Sequence, residues 1–261
     1  MKVAILGTGP SAAYAALACD QYNVECDILS KTSPPVFYAG AFWPRHLPTN
    51  NLLPLYRVYI SRVGTAENYL QKQWGTVKDE WLEETSFPAG AEYENAYSPY
   101  ELFGWIWQYR KIQLIPTLSD KDIAKLADDY DKIFMTFPTE KSKKTLGEYL
   151  VKFPIVSYLS NYKINHYCIY DGQNYDKIVR MSSLFGYIHN EYAPDHVPMP
   201  ALVDNGNVTW AQDTHPDTPE WDLTDVPAEN VMLVGRHAQW SRKVLSHHAF
   251  DIVYEELARM V

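Results

Sequence analysis

The chain has 261 residues, of which 46% are hydrophobic and 21% are charged, and its formal net charge is −9. These values are typical of a soluble globular protein, and no apolar run reaches the roughly 20 residues that a membrane-spanning helix needs. The negative charge argues against broad binding to a phosphate backbone, although a local basic groove stays compatible with it. Three cysteines, none in a CxxC pair, indicate a reducing compartment, which we expect to be the cytoplasm, without a disulfide framework or a zinc site.

The first predicted elements are a strand, a glycine-rich turn and a helix. Val3 to Leu6 are apolar and long enough for a buried strand, and Ala12 to Cys19 are typical of the helix that follows. Gly7, Gly9 and Ala12 have the spacing of the dinucleotide fingerprint. There the first glycine permits a tight turn, the second lets a pyrophosphate approach the backbone, and the small third residue lets strand and helix pack closely. The anion then lies at the helix N-terminus, where free N–H groups and the macrodipole favour it.

Two other interpretations exist for this opening stretch. One is a chance glycine turn, and the other is a lipoprotein signal, which Lys2 and the apolar residues before Cys19 imitate. The glycines and proline at positions 7–10 would interrupt the apolar region of such a signal. Residues 24–29 predict the second strand of the same strand–helix–strand unit, which favours the dinucleotide interpretation.

Further elements follow from local patterns. Residues 33–48 are rich in Pro, Gly and aromatic side chains and predict an irregular, functional loop. Residues 64–84 have helical spacing. Ser98 and Pro99 signal the start of a helix that runs to about residue 110.

The middle of the chain changes its pattern. Residues 111–115 predict a short strand, a capping box at Ser119 and Asp122 opens a helix, and residues 130–138 predict a buried strand that ends at a proline. From about 150 to 212 the hydrophobic pattern has period two, which predicts a mostly antiparallel sheet.

The C-terminal residues repeat the pattern of strand, glycine and helix found at the start of the chain. Residues 213–229 predict a surface connection, residues 230–235 an apolar strand that ends at Gly235, and Gln239 to Met260 a final helix. A strand, a glycine and a helix at each end, with a β-rich insert between them, predict a discontinuous dinucleotide-binding domain. The insert is then the substrate domain.

Four segments together resemble the motifs of one group of flavoproteins, the amine oxidases and UDP-galactopyranose mutases. They occur in the expected order, at residues 7–12, 40–43, 130–138 and 231–236, and Trp240 follows the last of them. The resemblance implies an α/β fold, in which a discontinuous Rossmann-like FAD-binding domain carries an inserted, mostly antiparallel β substrate domain. The implied domains are residues 1–48, 98–140 and 229–261 for FAD binding, 49–97 as a helical segment that covers the site, and 141–228 as the substrate domain.

The resemblance also implies which residues hold FAD. A small-residue turn would lie beneath the flavin, the strand around Leu114 would contact adenine with Thr136 nearby, and the start of the last helix would approach the pyrimidine edge of the flavin, where its dipole stabilises negative charge. The pyrophosphate residues would be Gly7, Gly9, Pro10, Ser11 and Ala12, and the turn would be Gly40, Ala41, Phe42 and Trp43. The C-terminal contacts would be Gly235 and Arg236 to the ribityl chain and pyrophosphate, and Ala238, Gln239 and Trp240 at the pyrimidine edge.

Two features depart from the pattern of the group. Its second strand usually ends in an acid that binds the adenosine ribose hydroxyls, and here that position is Ser30, followed by Lys31. Ser30 offers one hydrogen bond to a ribose, and Lys31 makes the 2′-phosphate of NADP conceivable. The chain is also shorter than most members, which suits a large or polymer-linked substrate or a partner that completes the site.

Two residues are candidates for catalysis. Arg180 matches an arginine that points towards the flavin in mutase-like members, with a surface ion pair as the alternative. His46 lies in the loop expected near the flavin and titrates near neutral pH, so it is a candidate base or acid. His247 and His248 are neighbours, but adjacent histidines on a helix point about 100° apart, so we expect no metal site.

The sequence therefore predicts an FAD-dependent oxidoreductase that oxidises a C–N or C–O bond by hydride transfer to flavin N5. The alternatives are a redox-neutral, mutase-like reaction through reduced flavin and a non-catalytic nucleotide-binding or partner protein. We expect a small-molecule or polymer-linked substrate and no membrane partner. A homo-oligomer or a partner protein is compatible with the sequence.

Overall fold

The computed structural model describes residues 1–35, 44, 53–85, 87, 90–160, 166–173, 177–196, 207–241 and 244–261. The flavin turn predicted at Gly40, Ala41, Phe42 and Trp43 and the candidate base His46 lie outside the described residues. The chain folds as two compact units. The first comprises Met1–Val36, Leu102–Tyr149 and Asp217–Val261, and the second comprises Phe37–Glu101 and Leu150–Pro216.

The described residues form twelve strands and eight α-helices. The strands are β1 (Val3–Leu6), β2 (Cys26–Ser30), β3 (Tyr56–Gly64), β4 (Ala91–Ala96), β5 (Ile112–Leu114), β6 (Lys132–Met135), β7 (Leu150–Leu159), β8 (His166–Gly172), β9 (Ile178–Leu184), β10 (Tyr187–Tyr192), β11 (Asn207–Thr214) and β12 (Val231–Leu233). The helices are α1 (Pro10–Gln21), α2 (Ala66–Trp74), α3 (Asp79–Glu84), α4 (Pro99–Gln108), α5 (Asp120–Leu126), α6 (Glu140–Leu146), α7 (Arg236–Gln239) and α8 (His248–Met260).

The first unit is built on a five-stranded parallel sheet in the order β12-β6-β1-β2-β5. Its central strand is β1, in which Val3 pairs with Cys26 on one side and Lys132 on the other. All four residues of β1 are buried, as an uninterrupted apolar run in a parallel sheet predicts. The predicted strand, glycine turn and helix are therefore confirmed, and so is the terminal strand before Gly235.

Helix α1 lies deep in this unit. Its residues Ala12 to Cys19 are all buried, so the helix has no solvent-facing stripe over that stretch. Helix α8 packs against it, and the rings of Tyr22 and Tyr254 lie 4.7 Å apart between centroids. The predicted capping box at the start of α5 is also present, since Ser119 and Asp122 exchange hydrogen bonds.

The last predicted helix is wrong in its extent. The sequence predicted one helix from Gln239 to Met260, whereas α7 ends at Gln239 and α8 begins at His248. Trp240 ends α7 in the left-handed conformation, with φ of 50°, and its side chain is buried. A left-handed residue cannot continue the α-helical hydrogen-bond ladder, so the chain leaves the helix there.

The second unit is built on a seven-stranded sheet in the order β11-β7-β10-β9-β8-β3-β4. Its pairs are antiparallel except β3 with β8, which is parallel. The mostly antiparallel sheet predicted from residue 150 onwards is therefore confirmed. It extends further than predicted, because two strands from before residue 100 join its edge.

The stretch 49–97 differs from the predicted helical segment. Its described part contains helices α2 and α3, but also strands β3 and β4. The alternation from Tyr56 to Val63 has the period of two that a strand requires, and pairing with the distant strand β8 makes this pattern a strand. The predicted single helix over 64–84 is also interrupted, because Gly75 ends α2 with φ of 76°.

A small apolar core lies between α2, α3 and the sheet of the second unit. Tyr69 and Leu70 of α2 and Trp81 of α3 are buried in it with Val179 and Ala193. Beside this core the ammonium of Lys72 pairs with the buried carboxylate of Asp171 at 3.3 Å. The second unit thus has its own core.

Candidate functional site

The first glycine of the fingerprint forms a turn that admits no side chain. Gly7 has φ of 113°, and its N–H donates to the carbonyl of Leu29 at 2.8 Å. A Cβ atom on Gly7 would lie 2.4 Å from Oγ1 of Thr136. That hydroxyl is fixed, because it donates to the carbonyl of Leu6 at 2.7 Å. Thr136 therefore supports the turn itself, and its place near the adenine stays a prediction.

The second glycine borders open space at the start of α1. Gly9 is the N-cap of α1, no side chain caps the helix, and its first turn contains no acid. A Cβ atom on Gly9 would meet no heavy atom within 4 Å. The first N–H groups of a helix have no partner within the helix, and its dipole favours an anion there. The start of α1 at Gly9 is thus uncapped and open, which an anion site requires, and the binding of a pyrophosphate by Gly9, Pro10, Ser11 and Ala12 stays a prediction.

The C-terminal motif lies against this same helix start. Gly235 has φ of 89°, and a Cβ atom on it would lie 2.2 Å from Oγ of Ser11. Residues near the two ends of the chain are thereby brought into contact. The two segments to which the sequence assigns FAD binding, Gly7–Ala12 and Gly235, are therefore neighbours in the described structure.

The residues after Gly235 form the short helix α7. Arg236 donates from Nε to the carbonyl of Val244 at 3.3 Å, and the Gln239 amide donates to the carbonyl of Leu233 at 2.9 Å. Ala238 is buried, and the buried indole N–H of Trp240 has no acceptor among the described residues. Ala238, Gln239 and Trp240 end α7. They therefore do not lie at the start of the last helix, α8, where the sequence placed them.

The end of β2 offers a hydroxyl in place of a carboxylate, and this hydroxyl is already engaged. Ser30 is buried, its Oγ lies 3.3 Å from Oγ1 of Thr8, and it accepts from the N–H of Thr32 at 3.2 Å. Thr8 in turn donates to the carbonyl of Thr32 at 3.0 Å. Lys31 is exposed. The predicted ribose contact from Ser30 would therefore compete with a network internal to the first unit.

The predicted adenine strand is short and open to solvent on its outer side. It is β5, an edge strand of the parallel sheet, and Leu114 at its end is 57% exposed. The next residue, Ile115, donates its N–H to the carbonyl of Ser30 at 2.8 Å. The described geometry thus places Leu114 beside the end of β2, where the sequence expected the adenosine.

Arg180 belongs to the second unit, where its charge is compensated. Its guanidinium forms an ion pair with Glu191 on the neighbouring strand and lies 5.4 Å from the ring centre of Tyr170. Burial is the largest single influence and lowers the pKa of Arg180, but Glu191 together with Tyr170, Tyr69 and Cys168 raises it above its usual value. An ion pair is therefore present, although its partner Glu191 is buried, so it differs from the surface ion pair of the alternative. The role of Arg180 in catalysis stays a prediction.

Sequence reasoning missed an aromatic row on the second sheet. Tyr59 is directly opposite Tyr93 on one side and Tyr167 on the other, so the three side chains share one face. They are 44%, 57% and 38% exposed, respectively. Ser183 and Ile188 extend the row across β9 and β10. The signal was the alternation within β3, which was interpreted as part of a helical segment.

Two classes of site find no support in the described part of the chain. No group of three His, Cys, Asp or Glu side chains there is arranged to hold a metal ion. Among the described helices, none is both long enough and apolar enough to cross a membrane.

No family model matches the chain, and no curated protein is similar to it in sequence. Solved structures do share its fold. RebC, in a structure with bound 7-carboxy-K252c, matches with a TM-score of 0.54 and 12% identity over 99% of this chain and 61% of RebC. The 2,6-dihydroxypyridine-3-hydroxylase of Arthrobacter nicotinovorans matches with 0.51 and 10%, over 99% and 83% of the two chains. Glycine oxidase of Bacillus cereus ATCC 14579 matches with 0.50 and 12%, over 98% and 95%.

These similarities show the fold. The chain has the mixed α/β fold of flavoproteins with a Rossmann-like FAD-binding domain, as the sequence predicted. They do not single out the amine oxidases or UDP-galactopyranose mutases that the motifs resemble. The chain spans about three-fifths of the length of RebC.

Proposed function

We propose that the chain is an FAD-dependent oxidoreductase whose pyrophosphate site is the start of α1. One observation carries the proposal: the uncapped N-terminus of α1 opens onto free space at Gly9, while Gly7 and Gly235 are closely packed beside it. The shared fold with flavin-dependent enzymes supports the same cofactor.

The residues present fit FAD at the phosphate end better than at the ribose end. The α1 start accepts the pyrophosphate charge, and the unpartnered indole N–H of Trp240 is a buried donor near the C-terminal motif. Ser30 offers no carboxylate to the ribose, so we expect the backbone near Leu114 to hold the adenosine. The residues assigned to the cofactor are Gly7, Gly9, Pro10, Ser11, Ala12, Ser30, Lys31, Leu114, Thr136, Gly235, Arg236, Ala238, Gln239 and Trp240.

Bound FAD would supply acceptance of a hydride from a carbon that carries nitrogen or oxygen. The chain's own part is positioning and electrostatics. The α1 dipole and Arg236 balance the negative pyrophosphate, and the close packing of Gly7 on Thr136 and of Gly235 on Ser11 keeps the anion site rigid. The choice of this amine-oxidase type of reaction is supported by the sequence motifs alone.

We also infer from the row of Tyr59, Tyr93 and Tyr167 that the second unit binds planar, aromatic compounds on this face of its sheet. Three tyrosine rings on one sheet face offer apolar area together with hydroxyl groups, which suits a flat ring with polar substituents. The hydroxylase with the shared fold is named for a dihydroxypyridine, which is such a ring. A polymer that displays such rings would satisfy the same surface.

The experiment compares two substitutions at one position. Gly9→Asp and Gly9→Asn both fit the open space and both cap α1, so each should fold at least as stably as the unmodified chain. Only Asp adds a negative charge where the pyrophosphate would lie. We expect Gly9→Asp to bind FAD at least about tenfold more weakly than Gly9→Asn, measured by flavin fluorescence titration.

The titrations test both the position of the pyrophosphate and the identity of the cofactor. Equal affinity of the two variants would show that the pyrophosphate is not at α1, and unmodified protein that takes up no FAD would overturn the cofactor assignment. Loaded protein is then mixed anaerobically with aromatic amines and alcohols. Loss of the oxidised flavin absorbance supports oxidation, whereas turnover only after prior reduction would replace it with the mutase-like reaction.

A further inference from the structure

The second unit contains a cavity at the C-terminal end of α2. Its volume is about 600 Å³, which is within the range of pockets that bind small molecules. Trp74 lines it from the last turn of α2, and the ends of sheet strands contribute Val151, Lys177, Asp195 and His215. The lining residues that the structure describes all belong to the second unit. The cavity is therefore separate from the residues assigned to FAD.

Two aromatic side chains contribute to the lining of this cavity. The rings of Trp74 and His215 lie 5.5 Å apart between centroids, with an angle of 77° between their planes. Each ring also contacts a second one, Trp74 that of Phe153 at 5.6 Å and His215 that of Trp81 at 5.7 Å. These contacts fix the two rings in place. The cavity thus offers a fixed aromatic surface, against which another aromatic ring packs favourably.

Two lysines line the cavity, and one of them is committed to a buried partner. The ammonium of Lys72 lies 3.3 Å from the carboxylate of Asp171, and their side chains are only 8% and 2% exposed. The same ammonium donates to the carbonyl of Ile178. Removing one partner of a buried ion pair leaves an uncompensated charge, which is strongly unfavourable. Lys72 and Asp171 are therefore a structural pair that a ligand does not separate.

The second lysine of the lining forms an ion pair that a ligand can rearrange. Nζ of Lys177 is 3.0 Å from Oδ2 of Asp195, and the two side chains are 55% and 69% exposed. Exposed ion pairs contribute little to stability, so an exchange of partners costs little. Both side chains line the cavity. The cavity therefore presents one accessible ammonium and one accessible carboxylate, side by side, together with its aromatic surface.

We propose that this cavity binds a free, zwitterionic amino acid with an aromatic side chain. The α-carboxylate accepts from Lys177, the α-ammonium donates to Asp195, and the ring packs on Trp74 and His215. A ligand with a single charge would pair with Lys177 or with Asp195 but not with both. A zwitterion pairs with both and leaves the net charge of the cavity unchanged. Because the cavity lies within the second unit, its binding is tested on protein without FAD.

Four ligands test the ring and the two charges on the unmodified chain by ligand-observed NMR titration at pH 7. L-phenylalanine is the reference, 3-phenylpropanoate lacks the ammonium, 2-phenylethylamine lacks the carboxylate, and L-alanine lacks the ring. Each loss of a charge should weaken binding by about fivefold, and loss of the ring by at least about tenfold. If 3-phenylpropanoate or 2-phenylethylamine binds as tightly as L-phenylalanine, the site is one for an anion or a cation and the proposal is wrong. The same holds if L-phenylalanine does not bind at about 5 mM.

Two substitutions at the exposed ion pair test the assigned contacts. Lys177→Gln should weaken L-phenylalanine and 3-phenylpropanoate by about fivefold and leave 2-phenylethylamine at least as tightly bound. Asp195→Asn should weaken L-phenylalanine and 2-phenylethylamine by a similar factor and leave 3-phenylpropanoate at least as tightly bound. An equal loss for all three ligands in either variant would show a structural effect and contradict the assigned contacts.

Lys152 offers a matched control on the same sheet. It follows the lining residue Val151 on β7 and is exposed, and neighbouring side chains of a strand point to opposite faces of the sheet. Lys152→Gln removes the same charge from the same unit and should leave all affinities unchanged. A loss as large as that in Lys177→Gln would show that the net charge of the unit, and not a contact in the cavity, attracts the carboxylate. The assignment to Lys177 would then be wrong.

Discussion

His189 illustrates how a single buried side chain sets a pH dependence. It is 2% exposed, its Nδ1 is 2.8 Å from Oγ of Ser157, and burial lowers its pKa from 6.5 to about 4, with Glu191 opposing the shift. Since the folded-state pKa is below the unfolded one, the unfolded chain gains a proton first as the pH falls. Stability contributed by the neutral ring is present above about pH 6.5 and is lost towards pH 4.

We expect the free energy of unfolding of the second unit to fall by about 2 kcal/mol more in the unmodified chain than in His189→Gln between pH 7 and pH 5. Urea unfolding at both pH values measures this difference. Carboxylates titrate in both chains, so the comparison isolates the histidine. An identical pH dependence in the two chains would contradict the assignment of the shift to His189.

Single residues also show where sequence reasoning reaches its limit. The spacing of Gly7 and Gly9 predicted a turn and an anion site, because both properties depend only on local backbone geometry. The engagement of Ser30 by Thr8 could not be predicted in the same way. It depends on two strand ends that meet only when β1 and β2 pair, and the residue between the two glycines carries no signal for it.

At the level of elements, the contact between α1 and the loop before α7 connects the N-terminal and C-terminal parts of the discontinuous domain. Gly235→Ala should be strongly destabilising, because a residue with φ of 89° is strained and the new methyl group would overlap Ser11. The strain alone costs about 1–2 kcal/mol. We expect Ser11→Gly to restore the steric part, so that Gly235→Ala costs about 1 kcal/mol less in that background.

A matched control for this double-mutant cycle is Gly104→Ala in α4. Gly104 is exposed and has open space around its Cβ position, so the same substitution should stabilise the helix by about 0.5–1 kcal/mol. Unfolding by urea gives the free energy of unfolding of each of the four chains of the cycle and of the Gly104→Ala control. Purely additive costs at positions 11 and 235 would show that the two residues do not contact each other.

Elements with strong local signals were predictable, and those that depend on distant pairing were not. The capping box at Ser119 and the buried strands β1 and β6 follow from sequence patterns within a few residues. Strand β3 required its parallel partner β8, more than a hundred residues later, to become a strand. Helix α8 was predicted too long because Trp240 adopts a left-handed conformation that ends α7, with its indole buried. Helix propensities contain no information about such burial.

For the molecule as a whole, binding of the cofactor should be measurable as an increase in thermal stability. A ligand that binds only the folded state stabilises it by about 2.7 kcal/mol when present at a hundredfold excess over its dissociation constant. For a chain of this size that corresponds to an increase in Tm of about 5–10 °C. We expect this increase on addition of FAD to the unmodified protein, measured by calorimetry.

The variants at Gly9 separate a specific site from general binding. Gly9→Asn should keep most of the increase in Tm, and Gly9→Asp should lose about half of it or more at the same FAD concentration, because the added carboxylate repels the pyrophosphate. Every described residue assigned to the cofactor belongs to the first unit. If the chain unfolds in two transitions, FAD should therefore move the transition of that unit and leave the other in place. An equal increase in Gly9→Asp would mean that FAD binds elsewhere, and the α1 assignment would then have to be abandoned.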